Sequence, residues 1–151
     1  MSAPIVRQAA LADLEPLAAL FDQYRQFQRQ GSDIAAARAF IRDRLGFGQS
    51  VVFIAIDGAS ALGFAQLYPS FSSVSLSRVF VLNDLFVHES GRRTGVASLL
   101  LSAVEAHAWA LGASRVTLNV AKDNPTAQQL YEARGWRLDQ QFNMYHRFPP
   151  T

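Results

Sequence analysis

Cysteine is absent from the 151-residue chain, and lysine occurs once, at Lys122. The missing cysteine excludes disulfides, thiolate metal ligands and a cysteine nucleophile. Charged residues make up only 17% of the chain, and its apolar runs are too short to span a bilayer. The N-terminus also lacks the pattern of a secretory signal. We therefore expect a cytoplasmic protein with no membrane partner.

Half of the residues are hydrophobic (50%), which is typical of a chain with a packed core. We expect a single domain over residues 1–151. The 14 basic residues are spread along the chain, so a nucleic acid partner is not expected. The three histidines, His88, His107 and His146, lie far apart without ligand-like spacing, so no metal site is expected.

The spacing of apolar residues predicts the order β-α-α-β-β-β-α-β-α-β, an α/β chain whose sheet carries helices on its faces and includes some parallel pairing. The predicted helices cover residues 14–27, 34–45, 96–111 and 125–133. The predicted strands cover residues 5–7, 51–56, 62–68, 79–87 and 116–120, with a mixed strand pattern over 136–148. A polar loop is expected at residues 69–73, between the third and fourth strands.

One loop carries the features of a ligand site. A hydrophobic strand ends near Val87, the string Arg92-x-x-Gly95-x-Ala97 follows, and a helix begins at once. Small residues let backbone N–H groups approach a ligand, and the first turn of a helix offers unpaired donors with a positive dipole end. This pattern predicts a phosphate or pyrophosphate site flanked by arginines. The alternative is a surface turn with two solvated arginines.

A second block follows the next predicted strand and contains Asn124, Ala127, Tyr131 and the pair Gly135-Trp136. With the loop at residues 92–97, it resembles the GNAT superfamily of N-acetyltransferases in order and spacing over nearly the whole chain. Residues 83–87 (Asn-Asp-Leu-Phe-Val) further resemble the spermidine/spermine, or diamine, acetyltransferase branch. The resemblance implies the GNAT fold, a mixed and mostly antiparallel sheet of six to seven strands flanked by about four helices.

The resemblance also implies roles for individual residues, with acetyl-CoA as co-substrate. The loop would hold the CoA pyrophosphate, and the neighbouring strand edge would pair with the pantetheine arm. Tyr131 would be the general acid that reprotonates the CoA thiolate. The residues expected to bind the cofactor are Leu85, Phe86, Val87, Arg92, Arg93, Thr94, Gly95, Val96, Ala97, Ser98, Asn124 and Ala127.

The expected chemistry is direct transfer of the acetyl group to a primary amine in a ternary complex, because no acyl-enzyme can form on a thiol. A backbone N–H near Phe86 or Val87 would stabilise the oxyanion. The polyamine branch has a glutamate base where this chain has Asn83. The candidates that remain for the base are Glu89, His88, Tyr24 and a chain of waters.

We expect the acceptor to be a small-molecule amine, held by Tyr24, Tyr68, Phe71 and Asp84. Aromatic faces can hold a cationic amine, although Tyr24 and Tyr68 fit core packing equally well. Asp84 is expected to face the opposite side of its strand from Asn83, because side chains alternate. Acetylation of a peptide amine, at a protein N-terminus or lysine, and a CoA-binding regulatory module without turnover are the alternatives. The sequence also leaves open whether the protein forms a homodimer.

Overall fold

The computed structural model describes residues 3–151. It divides into two compact units, the first ending at Leu118 and the second beginning at Asn119. The helices are α1 (Leu14–Phe27), α2 (Ile34–Gly46), α3 (Val96–Ala110) and, in the second unit, α4 (Pro125–Ala133). The strands are β1 (Ile5–Gln8), β2 (Val51–Asp57), β3 (Ser60–Ser72), β4 (Ser77–Val87) and β5 (Val116–Thr117).

The strands form one sheet in the order β1-β2-β3-β4-β5. The first three pairings are antiparallel, and β4 pairs with β5 in parallel. The predicted class, an α/β chain with a mixed and mostly antiparallel sheet and about four helices, is confirmed. The expected count of six to seven strands is wrong for the described residues, which form five.

Three local predictions about strands are wrong. The strand expected at residues 116–120 is only two residues long, and residues 136–148 contain no strand within the described part of the chain. The loop expected at residues 69–73 is instead strand as far as Ser72. β2 begins at Val51, which pairs with Leu67, so beyond Leu67 strand β3 has β4 as its only neighbour. Pro69 is tolerated there because an edge position does not require its missing N–H.

Short polar contacts fix the helix starts. Asp33 accepts a hydrogen bond from the Ala36 backbone N–H at 3.1 Å and so caps α2. The junction between α1 and α2 is held by the buried Asp22, which accepts from the Ser32 hydroxyl at 2.7 Å and from the Asp33 backbone N–H at 2.8 Å. These bonds satisfy donors that a helix end leaves unpaired.

The helices of the first unit pack on both faces of the sheet. On one face, Leu17 of α1 and Ile41 of α2 pack in one core cluster with a group of sheet residues, Val52, Ile54, Phe64 and Phe86. On the other face, the ring of His107 in α3 contacts the rings of Phe53 and Phe80. Burial of each large apolar side chain contributes about 1.5–3 kcal/mol, so the two layers fix the position of β4 and the loop after it.

Candidate functional site

The loop between β4 and α3 is tightly folded. The Thr94 hydroxyl donates to the Gly91 carbonyl, and Arg93 and Gly95 have left-handed backbone angles, with φ of 63° and 80°. Gly91 is tightly packed, because a Cβ there would lie 3.1 Å from the Cβ of Leu62 and 3.2 Å from Cγ1 of Val87. Gly95 is the residue directly before α3, so it leaves the start of the helix uncovered.

The backbone N–H groups at the start of α3 lack partners. Leu99 donates its N–H to the Gly95 carbonyl at 3.1 Å. For residues 93–98, no backbone or side-chain acceptor lies within hydrogen-bond distance among residues 3–151. Consecutive unpaired donors at a helix N-terminus form an anion site. The predicted phosphate-binding loop therefore has the donors that such a ligand requires.

Arg92 links this loop to the end of β4. Its Nε donates to the Val87 carbonyl at 3.1 Å, and its guanidinium lies 6.0 Å from the centre of the Phe27 ring. The hydrogen bond fixes one side of the guanidinium, so its positive charge stays beside the loop.

One edge of β4 is open over its second half. β4 pairs with β5 only at Phe80↔Val116 and Val81↔Thr117. The His88 N–H donates back to Leu62 of β3 at 2.7 Å. Because backbone groups alternate in direction along a strand, Leu85 and Val87 direct theirs away from β3. Their edge meets no further strand in the described part of the molecule, which leaves it available to an extended ligand.

A β-bulge at Asn83 interrupts β4. Gln66 pairs with Asp84 and Leu67 pairs with Leu82, so Asn83 is the extra residue. A bulge changes which face the following side chains occupy. Asp84 and Phe86 therefore share the sheet face with Gln66 and Phe64, the face that α1 and α2 cover.

Asp84 is a buried carboxyl group, with 3% of its surface exposed. It accepts from Gln66 Nε2 at 2.5 Å and from Asn83 Nδ2 at 3.0 Å. The Tyr24 hydroxyl donates to the Asn83 carbonyl oxygen at 3.5 Å and is close enough to Asp84 to lower the pKa of that carboxyl. Burial raises the pKa of Asp84, and these hydrogen bonds partly oppose the rise.

Tyr68 lies beside this group. Burial, together with the charge of Asp84, raises the pKa of its phenol to about 12, while the charge of Arg44 lowers it. The structure thus groups Tyr24, Tyr68 and Asp84, three of the four residues expected to bind the acceptor. It places Phe71 elsewhere: five residues beyond Gln66, or about 16 Å along an extended strand, with 72% of its surface exposed.

Two of the candidate bases lie in the turn after β4. His88 Nδ1 accepts from the Ser90 backbone N–H at 3.1 Å and also bonds to the Ser90 hydroxyl. Glu89 begins the short 3₁₀ turn Glu89–Gly91 and is exposed. The third candidate, Tyr24, belongs to the buried group around Asp84.

The second unit holds the remaining predicted residues. Asn124 caps α4 by accepting from the Ala127 N–H at 3.2 Å, and Pro125 occupies the first turn. The ring of Tyr131 lies 5.8 Å from that of Trp136, centre to centre. Burial raises the pKa of Tyr131, so its hydroxyl remains a proton donor at neutral pH.

Two further observations concern residues 3–151. No cluster of three or more metal-ligating side chains occurs among them. Their helices are also too short or too polar for any to cross a membrane.

Sequence reasoning missed Gln66, Arg44 and the bulge at Asn83. Gln66 could have been noticed, because it is the polar residue inside the apolar run from Leu62 to Tyr68. Arg44 gave no signal, since it looks like an ordinary basic residue in the last turn of a helix.

Comparison with known proteins agrees with this architecture. The profile of the acetyltransferase (GNAT) family matches residues 15–136. The uncharacterized N-acetyltransferase YhfO of Bacillus subtilis (strain 168) is 44% identical over 140 residues, which are 93% of this chain and 94% of that protein.

Solved structures agree as well. The crystal structure of a probable acetyltransferase superposes with a TM-score of 0.90 at 41% identity and covers 97% of each chain. The aminoglycoside N-acetyltransferase AAC(6')-Iy, solved in complex with CoA, superposes with a TM-score of 0.81 at 25% identity, over 97% of this chain and 96% of that one. The chain therefore belongs to the acetyltransferase (GNAT) family and is an N-acetyltransferase.

Proposed function

We propose that this protein transfers the acetyl group of acetyl-CoA directly to the primary amine of a small molecule, in a ternary complex, and that residues 1–151 act as one acetyltransferase domain. The observation that carries the proposal is the row of unpaired N–H groups at residues 93–98 beside the open edge of β4. Neither feature stabilises the fold, and together they suit a diphosphate joined to an extended arm.

The residues present fit the CoA diphosphate. The N–H groups of residues 93–98 would donate to the diphosphate oxygens, and Arg92 and Arg93 would supply positive charge. Gly95 has a left-handed backbone angle and no Cβ, and it lies among these donors directly before α3. The pantetheine arm would hydrogen-bond to the outward backbone groups of Leu85, because the Val87 carbonyl already accepts from Arg92 Nε. Asn124 and Ala127 would contribute a further contact to the cofactor.

Direct acetyl transfer requires only a few groups of the protein. The amine nitrogen attacks the thioester carbonyl, the new C–N bond forms, and the C–S bond breaks. The outward N–H of Val87 would stabilise the negative charge that develops on the carbonyl oxygen. The amine proton leaves to a base or water, and the Tyr131 hydroxyl donates a proton to the thiolate.

The acceptor amine would lie against the group formed by Tyr24, Tyr68 and Asp84. A buried carboxylate attracts an ammonium group, and aromatic rings favour a cation over their faces. The group lies next to Phe86 on β4, so it is close to the strand edge where the thioester would lie. A small molecule is favoured because the group is enclosed by α1 and the sheet.

The test is a screen for thiol release from acetyl-CoA with polyamines, amino acids, an aminoglycoside and lysine peptides. We expect turnover with small amines. Double-reciprocal plots of the initial rate should give intersecting lines, as a ternary complex requires. Turnover with peptides alone would indicate a protein acetyltransferase. Acetyl-CoA binding by calorimetry without turnover on any amine would indicate a regulatory module and contradict the proposal.

A further inference from the structure

The buried face around Asp84 contains three polar atoms without a hydrogen-bond partner: Gln66 Oε1, Ser50 Oγ and Arg44 Nε. Gln66 is fully buried and Ser50 is 7% exposed. A buried polar group without a hydrogen-bond partner destabilises the fold. Buried polar groups normally have a hydrogen-bond partner, so these three atoms mark a place where a polar ligand would find partners.

The sheet register brings Gln66 and Ser50 to this face. Gln66 pairs with Val52 on one side and with Asp84 on the other. Val51 pairs with Leu67, so Ser50, which precedes it, is level with Tyr68. Side chains alternate along a strand, so the two polar positions lie on the face that α1 and α2 cover.

Arg44 reaches the same place from the last turn of α2. Its guanidinium stacks on the Phe40 ring at 4.5 Å, and its charge acts on the phenol of Tyr68. Within residues 3–151, no carboxylate forms an ion pair with Arg44. A stacked arginine that retains an unpaired donor is suited to bind a carboxylate or phosphate oxygen.

The hydrogen-bond acceptors and donors of this face lie at different ends. Gln66 Nε2 is used by Asp84, so the remaining Gln66 oxygen and the Asp84 carboxyl group both accept hydrogen bonds. At the level of Tyr68, Arg44 and Ser50 offer donors. A ligand that satisfies both ends carries N–H donors at one end and an anion at the other.

The geometry points to an acceptor that is a small amino acid, with its amine against Asp84 and Gln66 and its carboxylate against Arg44 and Ser50. This inference rests on the proposed function, and it adds the class of substrate. Polycations are then expected to be poor substrates, because a polyamine or an aminoglycoside would bring a further positive charge towards Arg44.

The test uses pairs of acceptors that differ only in the carboxylate: ornithine and putrescine, and lysine and cadaverine. We expect kcat/KM to be about tenfold or more higher for the amino acid of each pair, mainly through KM. Arg44→Gln should reduce this preference about tenfold, and Arg44→Lys should restore part of it. Ser50→Ala should act in the same direction if Arg44→Gln does not fold.

Arg42→Gln is the matched control, because Arg42 lies on the same helix, is exposed and is 3.6 Å from Asp43. It should leave the preference for amino acids unchanged. If putrescine, cadaverine or an aminoglycoside reacts as well as the amino acids, the inference is wrong although the acetyltransferase function stands. If Arg44→Gln lowers kcat/KM equally for the amino acid and the diamine of each pair, Arg44 has a structural role and the inference is wrong. Thiol release with none of these amines would contradict the proposed function itself.

Discussion

Two glycines at the ends of α3 allow the diphosphate site to be tested separately from folding. Gly95 comes directly before the helix with φ of +80°, and Gly112 follows it with φ of +77°. A Cβ at either position would meet no atom within 4 Å. Replacement by alanine therefore costs only the left-handed backbone strain, about 1–2 kcal/mol at each position.

The two variants should differ in ligand binding. Gly95→Ala adds a methyl group and strains the backbone directly before α3, among the N–H donors of residues 93–98, so we expect acetyl-CoA affinity to fall about tenfold or more, or about 1.4 kcal/mol. Gly112→Ala should lose the same free energy of unfolding and keep its affinity. Urea unfolding and isothermal titration calorimetry measure the two quantities. Equal affinities in the two variants would refute the role given to this loop.

Two other predictions concern catalysis and stability. Tyr131→Phe should lower kcat about a hundredfold with little effect on acetyl-CoA binding, and an unchanged kcat across neutral and alkaline pH would disprove the general-acid role. The Arg7 guanidinium, 2.8 Å from Asp13, lowers the pKa of that carboxyl to about 2, so the pair stabilises the fold above pH 3.8 and the effect is lost as the pH falls towards 2. Asp13→Asn should therefore lower the free energy of unfolding by up to about 1 kcal/mol at pH 7 but not near pH 2, and an equal loss at both pH values in urea titrations would contradict this.

The helices and the ligand loop could be predicted from the sequence because their signals are local. α1 follows the three- and four-residue spacing from Leu14 to Phe27, and α4 begins after a capping Asn124 followed by proline. The loop of Gly95 and its helix lie within a few residues of each other. Such patterns need no knowledge of distant parts of the chain.

The strand errors have a different origin. Pro69 and its serine neighbours look like a loop, and they form strand because β4 offers a partner there. The tail from Trp136 to Phe148 has a strand-like pattern, but it forms no strand in the described residues. Strand formation depends on a partner, which local composition does not reveal.

The acceptor group was predicted only in part for the same reason. Side-chain alternation predicts opposite directions for Asn83 and Asp84, but Asn83 is a bulge residue and its Nδ2 donates to Asp84 Oδ1 at 3.0 Å, so the two side chains meet. The bulge that breaks the alternation depends on the pairing of β4 with Gln66 and Leu67. The approach of Arg44 to Tyr68 joins a helix to a strand more than twenty residues away along the chain. Only the tertiary structure shows which polar residues share one buried face.

We propose that the start of α3 binds the diphosphate of acetyl-CoA through its backbone N–H groups. The most direct measurement is an NMR titration of the backbone amides, with acetyl-CoA and with S-acetylpantetheine, which lacks the diphosphate. We expect the amide signals of residues 93–98 to shift on binding acetyl-CoA and to respond weakly to the shorter thioester. Saturation with acetyl-CoA while those signals stay in place would contradict it.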